Sequence, residues 1–331
     1  MPAVPMIELW RGGLLESVHM GHAVICDETG QVVQAWGDLD AVIYPRSSCK
    51  MVQALPLVES GAADRHGLTD AHLALACASH SGAAIHTQTV ERWLAAIGLS
   101  ESDLRCGTHL PWDNETKNSL VCSGRQPCQL HNNCSGKHAG FLTYSRHIKA
   151  GPEYVEPDHP MQQAVRAVFE ELTGLPSPGW GIDGCSAPNF ATTVHGLARA
   201  MAFFAAARET GDARERAAHR LVRAMGANPV LVAGEGRACT ELMRAIGGRG
   251  AIKTGAEAVY VAILPEIGRA VALKIVDGGT RASEAAMTAL LVHLGVLDPA
   301  HPVVRKFLDV ELRSWRGLHA GEMRRAPGFP A

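Results

Sequence analysis

The sequence predicts a mixed α/β protein, with one antiparallel sheet built from segments near the two ends of the chain, flanking helices, and a mainly helical lobe from the middle. Three observations carry this. Residues 1–45 and 250–300 contain short apolar runs separated by tight turns, which read as strand hairpins. Residues 46–249 are dominated by apolar positions at helical spacing. No repeat or low-complexity linker interrupts the 331 residues, so residues 1–331 read as a single unit.

The elements follow from local signals. Gly21–Cys26 is short and apolar, Asp27-Glu28-Thr29-Gly30 is a turn, and Gln31–Trp36 returns as the second strand of a hairpin. From Ser47, the residues Met51, Ala54, Leu55 and Val58 repeat at helical spacing up to Gly61, with Ser47 or Ser48 placed to cap the helix. Further helices are predicted over Asp70–Ala78, Ala84–Ile97, Pro160–Leu172, Pro188–Ala207, Arg214–Met225 and Thr240–Ile246. Cys106–Gly136 lacks periodicity and reads as a long loop, a feature uncommon without a purpose. Val259–Leu264 and Ala270–Val276 form a second hairpin, a last helix runs over Ser283–Leu294, and the basic tail after Trp315 is expected to be loose. A cleft between sheet and helical lobe is the natural ligand site.

Composition excludes several classes of function. Thirty-one basic and thirty-three acidic residues give a net charge of −2 with no basic block, so nucleic acid is not an expected partner. No apolar run is long enough to span a bilayer, and the N-terminus lacks a basic region followed by an apolar run, so neither membrane insertion nor export is expected and the expected location is cytoplasmic. Nine cysteines in such a chain are expected to be free thiols or metal ligands.

Lysine is scarce, with seven residues, so each position is informative. Ser47-Ser48-Cys49-Lys50 contains Ser-x-x-Lys, which on a helix places Ser47 and Lys50 on one face. A desolvated Lys50 could deprotonate Ser47 and give a nucleophile without histidine; the alternative is a capping serine beside a solvated lysine. Ser79-His80-Ser81 and Lys253-Thr254-Gly255 follow in order. Together the three elements resemble the signature of serine β-lactamases and penicillin-binding proteins, except that Ser81 stands where that signature has Asn. Cys134-Ser135-Gly136-Lys137-His138 and Gly181-Ile182-Asp183-Gly184-Cys185 bring two thiols, a histidine and an aspartate into Gly-rich segments. They suit a small metal site, with zinc favoured by sulfur, or simply two buried cysteines in tight loops. Gly234-Glu235-Gly236-Arg237 lacks the Gly-Lys-Ser/Thr of a phosphate loop and reads as the start of a helix.

Six stretches, spread in order over nearly the whole chain, resemble the class 3, or rhizobial-type, L-asparaginases of the asparaginase II family. They are Tyr44-Pro45-Arg46-Ser47, Ala76-Cys77-Ala78-Ser79-His80-Ser81-Gly82, Cys106-Gly107-Thr108-His109, Asn132-Asn133-Cys134-Ser135-Gly136-Lys137-His138, Gly181-Ile182-Asp183-Gly184-Cys185 and Lys253-Thr254-Gly255-Ala256-Glu257. The Asn-Asn-Cys-Ser-Gly-Lys-His stretch is the most specific. The resemblance implies a serine β-lactamase-like fold and two Ser–Lys pairs, Ser47 with Lys50 and Ser79 with Lys253. It implies a metal, usually zinc, on Cys134, Lys137 and Cys185 with water, a pocket shaped by Arg46, His138 and Asp183, Cys239 close to the active site, and a homodimer. The expected reaction is hydrolysis of L-asparagine to L-aspartate and ammonia, with either Ser47 or Ser79 as the nucleophile, Ser47 being the one favoured, and Arg46 as the candidate partner of a substrate carboxylate. The rival readings are a glutaminase or other amidohydrolase of β-lactamase-like fold, a penicillin-recognising enzyme, and a non-catalytic zinc-binding protein.

Overall fold

The computed structural model describes residues 2–330. Eight strands make the main sheet: β1 (Val4–Arg11), β2 (Leu14–Asp27), β3 (Val32–Trp36), β4 (Ala251–Gly255), β5 (Val259–Leu264), β6 (Arg269–Ile275), β7 (Val310–Arg313) and β8 (His319–Arg325). Their order is β7-β8-β1-β2-β6-β5-β4, with β3 also paired to β2, and every pairing is antiparallel. The expected mixed α/β class, with an antiparallel sheet drawn from both ends of the chain, is the observed one.

The sheet forms where the sequence supplies turn residues between apolar runs. Gly12 and Gly13 both have positive φ, 55° and 81°, which a two-residue hairpin turn between Arg11 and Leu14 requires. Ala270, Ala272 and Leu273 of β6 pair with Cys26, Val24 and Ala23 of β2, so the hairpins of the two chain ends join at the sheet centre. β5 is buried at all six positions. A strand covered on both faces needs continuous apolar residues, and Val-Tyr-Val-Ala-Ile-Leu provides them.

The helices are α1 (Lys50–Glu59), α2 (Asp70–Ala76), α3 (Ala84–Ala96), α4 (Asn114–Cys122), α5 (Ser135–His147), α6 (Pro160–Thr173), α7 (Val194–Ala206), α8 (Ala213–Ala227), α9 (Ala238–Ala245) and α10 (Thr280–His293), besides shorter turns. α7 and α10 pack on the sheet, while α1 lies among α5, α6 and α8. Nine of the ten α1 residues are buried, which marks the interior helix of the lobe. No helix among the described residues is long and apolar enough to cross a membrane.

Four expectations are corrected. The segment after Trp315 is not loose: β8 pairs with β1, Met323 opposite Leu9 and Arg325 opposite Ile7. Only Gly321 and Met323 of β8 are buried, so its alternation is too weak to read, and the backbone ladder holds it. The helix expected over Pro188–Ala207 begins only at Val194, because Thr193 caps it, its Oγ1 accepting the Gly196 N–H at 2.9 Å; Pro188–Phe190 and Thr192–Thr193 are short strands. The supposed loop Cys106–Gly136 contains α4, capped by Asp113, whose carboxylate accepts the Thr116 N–H at 2.8 Å. α4 buries only Leu120, so it carries no apolar stripe to detect. Neither Ser47 nor Ser48 caps α1: residues Arg46–Cys49 form a 3₁₀ turn, and the Ser48 hydroxyl donates to Pro45 O at 2.7 Å.

Gly136 fixes how α5 approaches α2. A Cβ there would lie 2.4 Å from the Leu75 carbonyl oxygen, a backbone atom that cannot move aside. Gly136→Ala is therefore expected to destabilise the protein by about 1–3 kcal/mol, read as a lower urea midpoint. Its damage is expected to extend to Cys134 and Lys137, which flank it.

Candidate active site

Three separate segments converge on one hydroxyl. Ser79 lies in the connection between α2 and α3, Lys50 opens α1, and Lys253 is on β4, the edge strand of the sheet. Lys253 Nζ is 2.8 Å from Ser79 Oγ, and Lys50 Nζ is 3.1 Å from it. All three side chains are buried, with Ser79 5% exposed and each lysine 1%. Lys50 also donates to Ala78 O and to Cys134 Sγ, so its three partners match the three donors of an ammonium. Lys253 also donates to Thr254 O at 2.7 Å. Burial, and then the charge of Lys50, bring the Lys253 pKa down to about 7. One lysine is thus placed to accept a proton near neutrality, and the other is placed as a fixed donor.

Ser47 is placed differently. It is half-buried in the 3₁₀ turn, and among the described residues its hydroxyl makes no hydrogen bond, to Lys50 or to any other group. The structure brings Lys50 to Ser79 across the chain instead of to Ser47 along it. The Ser79 backbone N–H donates to Val232 O at 2.9 Å, so it is committed within the fold.

Cys134, Lys137 and Cys185 form an adjoining cluster. Cys185 follows the short strand Trp180–Ile182, and Lys137 lies in the first turn of α5. Lys137 Nζ donates to Cys185 Sγ at 3.1 Å. The hydrogen bond from Cys134, together with the charge of Lys137, holds the Cys185 thiol far below its ordinary range. The same hydrogen bond and burial raise Cys134. Burial opposes the charge on Lys137, but Cys185, Cys134 and Asp183 together outweigh it and raise its pKa. No group of three or more His, Cys, Asp or Glu side chains suited to a metal occurs among the described residues. Two cysteine sulfurs and an amine, with Lys137 Nζ 3.1 Å from Cys185 Sγ, are nonetheless a soft donor set that fits zinc with a further position open, provided that Cys134 and Lys137 lose their protons. All nine cysteines are free.

The other predicted pocket residues are placed as follows. Arg46, at φ 52°, pairs with Asp183 through Nη2 at 2.8 Å and Nε at 3.3 Å. Burial alone would raise Asp183, but the Arg46 hydrogen bond and the Lys137 charge hold it below its usual range. His138 is fully buried; the Tyr154 hydroxyl accepts the Arg105 N–H at 2.7 Å and shares a hydrogen bond with His138 Nδ1 at 2.9 Å, and His138 Nε2 is buried without a partner among the described residues. Cys239 Sγ accepts the Thr254 N–H at 3.3 Å and contacts the Tyr260 hydroxyl at 3.2 Å, so it supports β4 from behind.

Sequence reasoning did not single out Val232, which fixes the Ser79 N–H, or Arg237, whose Cζ lies over Trp112, 4.7 Å from the ring centroid. A signal for the second was present in Gly234-Glu235-Gly236-Arg237: Gly234 sits at φ 116°, where a Cβ would meet Ser81 Oγ at 2.5 Å.

A serine hydroxyl bracketed by two buried lysines has the parts needed to attack an acyl carbon. The family model described as L-asparaginase II matches residues 7–325. The chain belongs to the L-asparaginase II family and is an amidohydrolase. No curated protein sequence matches it significantly. Among solved structures it is similar to a β-lactamase from Mycobacterium bovis, at 13% identity and TM-score 0.45 over 84% of this chain and 95% of that one. It is also similar to Mglu in its tris and glutamate form, at 16% identity and TM-score 0.39 over 84% of this chain and 59% of that one. At such TM-scores these likenesses add nothing to the topology described above.

Proposed function

We propose that the protein hydrolyses L-asparagine to L-aspartate and ammonia, with Ser79 as the nucleophile. The observation that carries the reading is the position of Ser79 Oγ between Lys253 Nζ and Lys50 Nζ in a member of the L-asparaginase II family. Lys253, neutral in part near pH 7, removes the hydroxyl proton as the oxygen attacks the side-chain amide carbon. The new C–O bond pushes charge onto the carbonyl oxygen, which the nearby charge of Lys50 opposes without a direct hydrogen bond. The protonated Lys253 returns its proton to the amide nitrogen, the C–N bond breaks, and ammonia leaves. Water, deprotonated by the same lysine, then releases aspartate from the acyl-serine. This assignment moves the nucleophile from Ser47, the residue expected from Ser-x-x-Lys alone.

The Arg46–Asp183 pair forms one wall in this reading, and Cys239 steadies the strand that carries Lys253. Cys134, Lys137 and Cys185 are the residues that would hold a zinc ion, whose charge would supply electrostatic order to the polar end of the pocket. For the metal, the check is zinc content by mass spectrometry. The wild type is expected to hold one zinc per chain, and Cys185→Ser to lose affinity by about tenfold or more. Retained zinc in Cys185→Ser would remove that residue from the ligand set. The homodimer remains part of the proposal, and sedimentation of the purified protein tests it.

The deciding assay measures ammonia release from L-asparagine and L-glutamine beside cleavage of a chromogenic β-lactam. Asparagine turnover supports the proposal. Preference for glutamine moves the substrate by one methylene, a difference of about 1–3 kcal/mol in a tight pocket. Release from neither amide overturns the proposal.

A further inference from the structure

We propose that Arg237 receives the α-carboxylate of the substrate. The inference rests on the asparaginase reading and names the determinant that selects an α-amino acid over a simple amide. Arg237 caps the N-terminal end of α9 and is partly buried, yet among the described residues its guanidinium makes no hydrogen bond and no ion pair. Glu284, whose carboxyl feels the Arg237 charge, lies outside ion-pair range. A partly buried guanidinium with no hydrogen bond or contact ion pair keeps its donors unused, and a ligand carboxylate would satisfy them.

Its neighbours in the chain are tied to the segments that carry Ser79 and Lys253. The turn that precedes Arg237 packs on Ser81, two residues after Ser79, with no room for a Cβ at Gly234. Two residues after Arg237, Cys239 accepts the N–H of Thr254, the neighbour of Lys253. The Arg237 charge also reaches Lys253, on which it acts in the same direction as Lys50. The Arg237 Cζ lies over the Trp112 ring, and the next residue, Asp113, donates its N–H to Ser81 O at 2.9 Å. A cation held over an indole is positioned by the ring and keeps its N–H groups for two carboxylate oxygens. Arg46 cannot be read as equally free, because Asp183 already occupies its fork. Arg237 therefore replaces Arg46 as the carboxylate partner.

The experiment compares L-asparagine with 3-aminopropanamide, which is the same molecule without its α-carboxylate. Wild type, Arg237→Gln and Arg237→Lys are assayed for asparagine turnover, with 3-aminopropanamide as a competitive inhibitor. Arg237→Gln is expected to raise KM for asparagine by about 10–100-fold and to leave kcat within about threefold. The inhibition constant of 3-aminopropanamide is expected to stay unchanged, and Arg237→Lys to recover part of the loss. An unchanged KM, a loss confined to kcat, or an equal loss of 3-aminopropanamide binding overturns the assignment. A wild type that turns over no asparagine overturns the underlying reading instead, and this one with it.

Discussion

Ser79→Ala is expected to abolish ammonia release from L-asparagine, lowering kcat/KM by about 10⁴-fold or more, and Ser47→Ala to leave it within about tenfold of wild type. The contrast follows from geometry. Both lysines in the site reach Ser79 Oγ, whereas the Ser47 hydroxyl is bonded to neither. A hydroxyl needs a base within hydrogen-bond reach before it can attack, and Ser79 has one at 2.8 Å. Equal losses from the two variants would mean that Ser47 takes part in the chemistry. A loss confined to Ser47→Ala would reverse the assignment. Circular dichroism and the urea midpoint separate chemistry from misfolding in both.

The second large effect lies in the pH profile. In the proposed mechanism Lys253 is the base, a role it can fill only when neutral, and its pKa is lowered to about 7. The acid limb of kcat/KM is therefore expected to rise with pH and to level off above about 7, losing about tenfold for each unit below. Lys253→Met removes the limb and lowers the rate by about 10²–10⁴-fold. Lys50 supplies a further test of sign. Its charge helps to depress Lys253, so Lys50→Gln raises the Lys253 pKa and moves the surviving limb to higher pH. A limb that stays in place when Lys50 is removed would show that another group titrates there.

Much of the sheet was legible because its central strands carry strong local signals. The hairpin over Gly21–Trp36 and the pair β5 and β6 combine apolar runs with turn residues. β8 was not legible: with Arg324 and Arg325 beside one buried methionine, only its partner β1 reveals it as a strand. The site divides in the same way. Ser79, Lys50 and Lys253 were each visible as residue types in motifs, and the resemblance paired Ser79 with Lys253, but the contact of Lys50 with Ser79 was not visible. Ser-x-x-Lys suggests a contact along one helix turn, and the 3₁₀ turn at Arg46–Cys49 replaces that turn. Whether Lys50 reaches forward to Ser79 depends on how α1 packs against the α2–α3 connection, which no local spacing encodes. Arg237 escaped for another reason: its significance lies in lacking a partner, and a sequence does not record which charges remain unpaired.

The pairing of β1 with β8 bears on how the chain is made. Ile7 meets Arg325 only after more than three hundred intervening residues have been synthesised. β1 and β2 can form their hairpin early, and the helical lobe can collapse on local contacts. Until β5, β6 and β8 leave the ribosome, however, the early hairpin presents two open flanks, and closing so long a loop is slow. The nascent protein is thus exposed to β-edge aggregation for most of its translation, and Lys253 reaches Ser79 only when the sheet is nearly complete. A ribosome-bound chain stalled before residue 250 should contain folded helices and no assembled catalytic centre.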